Sequence, residues 1–259
     1  MNKYILILTI LTTATLTAAQ TPTPSPDALT VEKQRADRLQ TRLNEYANYG
    51  RYADANSKLS PPAKGEDRVV FMGDSITDGW KLADLFPGKP YVNRGISGQT
   101  TSQMLIRFRP DVIALQPKVV VILAGTNDIA GNTGPISIDA IAGNLESMVE
   151  LAHANGINVV LSSVMPVSDY SKNAQGNQIV QTVRRPPAKI LELNDRIKKL
   201  CAEHKLVYLD YFSAMVDDKG LLKEDVSYDG LHANAKGYSV MTATAAPAIA
   251  TALKMKRPR

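Results

Sequence analysis

From Arg68 onward, short apolar runs alternate with longer amphipathic ones. Val119-Val120-Val121-Ile122-Leu123 is β-branched and has no polar alternation, the pattern of a strand covered on both faces. Val69-Val70-Phe71-Met72 reads the same way, and a weaker run opens at Tyr91-Val92. Val159-Val160-Leu161 and Leu206-Val207-Tyr208-Leu209 bring the predicted strands to five. Between them, apolar residues recur at helical spacing over 101–115, 138–154 and 188–204, and a last helix is predicted over 235–255, with Pro247 as a kink. This alternation predicts an α/β fold: a three-layer α/β/α sandwich with a five-stranded parallel sheet, flavodoxin-like in its winding. The polar stretch 166–187 lacks periodicity and is expected as a long surface loop near the site.

The N-terminal region follows a different pattern. Lys3 precedes an apolar, Thr-rich stretch from Tyr4 to Leu16, and Thr17-Ala18-Ala19 then offers small residues before Gln20. This predicts a signal peptide over 1–19, cleaved near Ala19, and a secreted or periplasmic protein without stable membrane insertion. Thr or Ser alternates with Pro from Thr21 to Pro26, and 20–27 is expected as a stiff linker. Residues 28–60 are expected as a helical extension, in which Leu29, Leu39 and Leu43 recur among charges, and 61–259 as the main domain.

Composition narrows the function classes. Hydrophobic residues make up 44% of the chain, enough for a real core, so a wholly disordered chain is excluded. The net charge of +5 is scattered, apart from a short basic C-terminal tail, and gives no nucleic-acid footprint. One cysteine, Cys201, excludes an intrachain disulfide framework and any multi-Cys metal site. Three histidines, His153, His204 and His232, argue against a His-rich metal site, and no metal or cofactor is expected.

Ligands of open α/β sheets bind beyond the carboxyl ends of the strands. Three unusual turns fall there: Gly73-Asp74-Ser75-Ile76-Thr77-Asp78-Gly79, Asn93-Arg94-Gly95-Ile96-Ser97-Gly98-Gln99-Thr100-Thr101 and Gly125-Thr126-Asn127-Asp128. Asp229-Gly230-Leu231-His232 stands before the last helix and is expected to return to the same rim. A serine hydroxyl needs an adjacent base, and a histidine base needs a carboxylate to fix its tautomer. Ser75, His232 and Asp229 supply these types, with the acid and base three residues apart. The Ser75 and Gly98 backbone N–H groups and the Asn127 amide are candidate donors to an oxyanion. Asp74 and Asp78 read as turn-stabilising. The Gly-x-Ser-x-Gly elbow of the α/β-hydrolases does not fit, because Thr77 stands where its second glycine belongs.

These four blocks, in order and between the right strands, resemble those of the SGNH or GDSL-like serine hydrolases over about 69–238. The resemblance implies Ser75 as nucleophile, His232 as general base and Asp229 as its partner, with Ser75, Gly98 and Asn127 forming the oxyanion hole. One departure is Ala233, where the family often has proline after the histidine; this implies a slightly less rigid loop. The stretches 73–80 and 125–135 also look like the branch related to platelet-activating-factor acetylhydrolases, which favours acetyl esters. Only four Phe and one Trp, no evident lid, and an expected polar rim of Arg94, Gln99, Thr100, Asp128, Asn132 and Thr133 point the same way. The expectation is an exported serine esterase cleaving short acyl groups, acetyl above all, from a small or carbohydrate-linked ester. The alternatives are a lipid esterase of the lysophospholipase kind and a non-catalytic glycan-binding or scaffold protein on the same fold.

Overall fold

The computed structural model describes residues 30–35, 37, 39 and 45–258. The predicted signal segment 1–19 and linker 20–27 lie outside the described residues. The chain divides into two units, Met1–Leu43 and Asn44–Arg259. In the first, the described residues are helical and exposed. The helical extension expected over 28–60 is interrupted: residues 45–47 and 49–52 are turns, and Asn48 between them takes a positive φ of 48°. A short helix, α1 (Ala53–Ser57), follows.

The second unit is built on five parallel strands: β1 (Val69–Gly73), β2 (Tyr91–Gly95), β3 (Val119–Leu123), β4 (Asn158–Ser162) and β5 (Val207–Leu209). Their order across the sheet is β2-β1-β3-β4-β5, a doubly wound arrangement. The winding reverses between β1 and β3, so their carboxyl ends flank the crevice where such sheets bind ligands. The short helices α2 (Ser75–Asp78) and α3 (Leu82–Leu85) follow β1. Next come α4 (Thr101–Asp111), α5 (Thr126–Ile129), α6 (Ile138–Ala154) and α7 (Pro187–Glu203). The last two are α8 (Tyr211–Met215) and α9 (Ala235–Lys254), and α9 runs through Pro247 as one helix.

The pleat sends alternate strand residues to opposite layers. Val70, Met72, Val120, Ile122, Val159 and Leu161 pack with Met104 and Phe108 of α4, Leu145 and Met148 of α6, and Leu193 and Ile197 of α7. Val69, Phe71, Val119, Val121, Leu123 and Val160 face Met241, Ala245 and Ile249 of α9, together with Trp80 and Phe86. Both faces of the sheet are therefore covered, which is why its strands carry no polar alternation. Among the described residues, no helix is long and apolar enough to cross a membrane.

Charged side chains also lie inside this frame, among them the Arg107–Asp111 pair of α4. Arg107 of α4 is fully buried. Its guanidinium donates to Asp111 Oδ2 at 3.0 Å, to Gln99 Oε1 at 2.5 Å and to the carbonyl of Gly73, the last residue of β1, at 3.2 Å. The other Asp111 oxygen accepts from Asn56 of α1 at 2.7 Å, and Gln99 donates to the carbonyl of Ala47 at 2.6 Å. Removing one member of a buried ion pair leaves the other charge uncompensated, at a cost of about 3–5 kcal/mol. Arg107→Met is expected to lower the melting temperature by about 10 °C, and adding Asp111→Leu to restore most of the loss. A double variant as unstable as the single one would show that the pair does not carry this stability.

Candidate active site

The turn after β1 sets the first group. Asp74 caps α2 through its carboxylate, which accepts from the Ile76 N–H at 3.0 Å, and this places Ser75 as the first helical residue. The Ser75 N–H has no intrahelical acceptor, as for any first-turn residue. Asp74 is fully buried, and burial pushes its pKa from an ordinary 3.8 up to about 6. The Ile76 N–H and the nearby His232 and Arg185 oppose that shift. Asp78, at the end of α2, accepts from the N–H and hydroxyl of Ser97 at 3.2 and 2.7 Å, tying the loop after β2 to the serine turn. Gly98 in that loop has a φ of +79°, a conformation that side-chain-bearing residues rarely adopt.

The last loop delivers the histidine. Ser75 Oγ lies 2.9 Å from His232 Nε2, and His232 Nδ1 lies 2.6 Å from Asp229 Oδ2. A carboxylate only accepts, so Nδ1 carries the proton and Nε2 is left to accept from the serine hydroxyl. Oδ1 of the same carboxylate accepts from the N–H groups of Leu231 and His232 at 3.0 and 2.7 Å. Burial raises the Asp229 pKa, but these hydrogen bonds outweigh it and hold the carboxyl below its ordinary range. The loop is pinned from outside as well. Ser227 Oγ donates to the His232 carbonyl at 2.7 Å, and the Ser168 N–H donates to the Gly230 carbonyl at 2.9 Å. A Cβ at Gly230 would stand 2.1 Å from the Ser168 carbonyl oxygen, so that approach requires glycine. Tyr228 stacks on the imidazole, with ring centroids 5.7 Å apart and planes 11° apart, and leaves 62% of its surface exposed.

Asn127 sits in α5, just past the carboxyl end of β3, and is buried. Its amide nitrogen donates to the Gln99 carbonyl at 3.1 Å and lies 3.4 Å from Asp74 Oδ2. Its amide oxygen accepts from Arg185 Nη2 at 3.2 Å. Arg185 also donates to Thr126 Oγ1 at 3.1 Å and to Gln181 Oε1 at 3.0 Å, and Gln181 donates onward to the Asp229 carbonyl at 3.1 Å.

The model of the GDSL-like lipase/acylhydrolase family matches residues 71–240, which contain all four blocks. The chain belongs to this family. This GDSL-like chain is 44% identical to a GDSL-like lipase of known structure from Bacteroides thetaiotaomicron, covering 80% of this chain and 100% of that one with a TM-score of 0.72. It is 32% identical over 123 residues to the lipoprotein YqeF of Bacillus subtilis, covering 40% of this chain and 51% of that protein. It is also 27% identical over 128 residues to an arylesterase of Vibrio mimicus, covering 44% of this chain and 62% of that one. The matches thus span between half and two thirds of the length of these two curated relatives.

The structure joins Ser75, His232 and Asp229 in one hydrogen-bonded line and sets Asn127 against Gln99 and Asp74, while two readings of the surroundings change. The expected polar rim is mostly interior: Arg94, Gln99, Thr100 and Asp128 are buried, and only Asn132 and Thr133 are exposed. The reason is structural. Asp128 accepts from the Thr101 N–H and hydroxyl at 3.0 and 2.5 Å, and the Arg94 Nε donates to Asn56 Oδ1 at 2.9 Å, so these groups hold the loops to one another. The loop expected at 166–187 runs over 163–186 and is not wholly superficial, since Val164, Met165, Val167, Ser168 and Arg185 are buried. Arg185 and Gln181 were missed, and the one hint of them is an Arg184-Arg185 pair before two prolines.

The buried Asp74 makes stability depend on pH. Its folded-state pKa lies above that of the unfolded chain, so the folded state binds the proton more tightly. The stability it contributes is full below pH 3.8 and is lost as pH rises to about 6. Relative to Asp74→Asn, the wild type is expected to lose roughly 2–3 kcal/mol of unfolding free energy between about pH 4 and 6.5. Urea melts of both proteins across that range measure it, and a difference that stays flat with pH would show that Asp74 does not titrate there.

Proposed function

We propose that the chain is an exported serine esterase that removes short acyl groups, acetyl above all, from carbohydrate-linked alcohols. The continuous hydrogen-bonded line from Ser75 through His232 to Asp229 carries the reading. Ser75 Oγ attacks the ester carbonyl carbon while His232 Nε2 takes the hydroxyl proton, and the Asp229 carboxylate stabilises the resulting imidazolium. The carbonyl oxygen becomes an oxyanion that the Ser75 and Gly98 N–H groups and the Asn127 amide receive, the amide giving up its long 3.4 Å contact with Asp74. Collapse breaks the bond to the alcohol oxygen, which leaves with the proton from His232. Water then attacks the acyl carbonyl carbon while His232 Nε2 takes its proton, and collapse breaks the bond to Ser75 Oγ, which regains the proton from His232 as the carboxylic acid leaves.

Two observations support the substrate class. The void beneath the Ser75 turn, lined by Ile76, Leu123, Ala124, Val164, Met165 and Leu231 among others, is too small to take an acyl chain. The histidine stands on the side where the alcohol leaves, and the exposed Tyr228 ring stacked on it presents a flat surface of the kind on which a sugar ring lies. Tyr228 also lines a groove of about 400 Å³ with Leu85, Ala233, Asn234 and Tyr238. A wider cavity of about 530 Å³, lined by Pro62, Gln116, Lys118 and Asn155, lies at the amino ends of the strands, away from the chemistry. Export rests on the Lys3 and Tyr4–Leu16 pattern and agrees with the lipoprotein among the relatives.

Ser75→Ala is expected to lower kcat on p-nitrophenyl acetate by at least ~10⁴-fold without changing the circular dichroism spectrum. In a series of p-nitrophenyl esters, kcat/KM is expected to fall at least ~10-fold from acetate to octanoate, a pocket effect of about 1.4 kcal/mol or more. Turnover near wild type in Ser75→Ala would overturn the nucleophile. A preference for octanoate would replace the short-acyl reading with that of a lipid esterase.

A further inference from the structure

Arg185 lies outside all four blocks, yet it is the buried cation against the proposed oxyanion donor. A side-chain amide can be turned by half a rotation with little change in shape, which exchanges its donor end for its acceptor end. At Asn127 the two orientations are far from equivalent. A guanidinium has donors only, so the Arg185 Nη2 at 3.2 Å requires the amide oxygen to face it. The nitrogen must then face the Gln99 carbonyl at 3.1 Å and the serine turn beyond. Turned round, the amide would set its oxygen against the Gln99 carbonyl and offer the oxyanion an acceptor in place of a donor. A cation hydrogen-bonded to the amide oxygen also draws electron density away from the amide N–H, making it a stronger donor.

Arg185 is itself held in place. Its Nε donates to Thr126 Oγ1 and its Nη1 to Gln181 Oε1, so three different nitrogens of the fork are engaged. Burial lowers its pKa, as does neighbouring Arg184, while Asp74 and Asp229 oppose the shift. A guanidinium remains charged despite this lowering.

We propose that Arg185 is a positioning residue that locks Asn127 in its donor orientation and polarises it, acting on the oxyanion only through that amide. This rests on the esterase reading above. It predicts a specific pattern of kinetics. Arg185→Met is expected to lower kcat on p-nitrophenyl acetate by about 10–10²-fold with KM moved less than about twofold, the pattern of support given mainly in the transition state. Arg185→Lys keeps a cation without the planar fork and is expected to recover part of that loss.

The decisive experiment is a double-mutant cycle with Asn127→Ala, with Ser75→Ala assayed in parallel. With Asn127 truncated, Arg185→Met is expected to cost less than about threefold more in kcat, because the group it acts through is gone. Losses that multiply in the double variant, or an Arg185→Met effect confined to KM, would each overturn the assignment. Arg185→Lys supplies the same cycle should Arg185→Met fail to fold. If Ser75→Ala retained turnover, the esterase reading would fall and this assignment with it. With Ser75→Ala inactive, a multiplicative cycle overturns the role of Arg185 alone.

Discussion

The guanidinium of Arg107 has no water to turn to, so every one of its engaged N–H groups must find its partner inside the protein. Those partners come from separate stretches of chain: the end of β1, the loop after β2 and the last turn of α4. A buried cation of this kind tolerates little displacement of any of them. The carbonyl it fixes belongs to Gly73, two residues before Ser75, and the glutamine it fixes follows Gly98 directly. Gln99 then accepts the Asn127 amide through its own carbonyl. One enclosed charge thus sets the spacing between the serine turn, the glycine loop and the asparagine helix. The segment 45–57 closes this assembly from outside, through the Ala47 carbonyl, Asn56 and the hydrogen bond from the Tyr52 hydroxyl to Gly95.

The histidine reaches the same point by different means. Asp229 uses one oxygen on the imidazole and the other on two backbone N–H groups of its own loop, so it both shapes the turn and orients the base. The expected loss of stiffness from having Ala233 in place of proline is offset locally. Ala233 is buried and bridges to Ser227, whose hydroxyl holds the His232 carbonyl.

What could be read from the chain follows from how locally each feature is encoded. The strands were legible because a parallel sheet covered on both faces demands unbroken β-branched runs, and Val119–Leu123 is one. The α6 helix was legible to its ends, since its apolar positions keep one period throughout. Ser75, Gly98, Asn127, Asp229 and His232 stood out because each lies in a turn whose glycines and polar residues serve no periodic pattern. The same reasoning misplaced Arg94, Gln99, Thr100 and Asp128. Polar residues in loops read as exposed, and nothing local reveals that these loops face one another and satisfy their groups internally. Arg185 was hidden for a related reason. Its partners in α5, Asn127 and Thr126, lie 58 and 59 residues away in sequence, so no spacing rule connects them.

The loop between β4 and α7 touches the site at its two ends and nowhere else that matters to it. Near its start, the Ser168 N–H holds the Gly230 carbonyl; near its finish, Gln181 holds the Asp229 carbonyl and Arg185 holds Asn127. The tip in between, residues 172–178, is exposed and closes on itself through a bridge from Lys172 to Gln178. The segment therefore behaves as two fixed posts joined by a span whose length is geometrically free. Residues added to or cut from the tip leave both posts standing, whereas a single-residue change in length between Gln181 and Arg185 shifts a post against the helix that carries it. Natural or engineered variation in this loop can accumulate at the tip without disturbing the contacts that its two ends make with Gly230, Asp229 and Asn127.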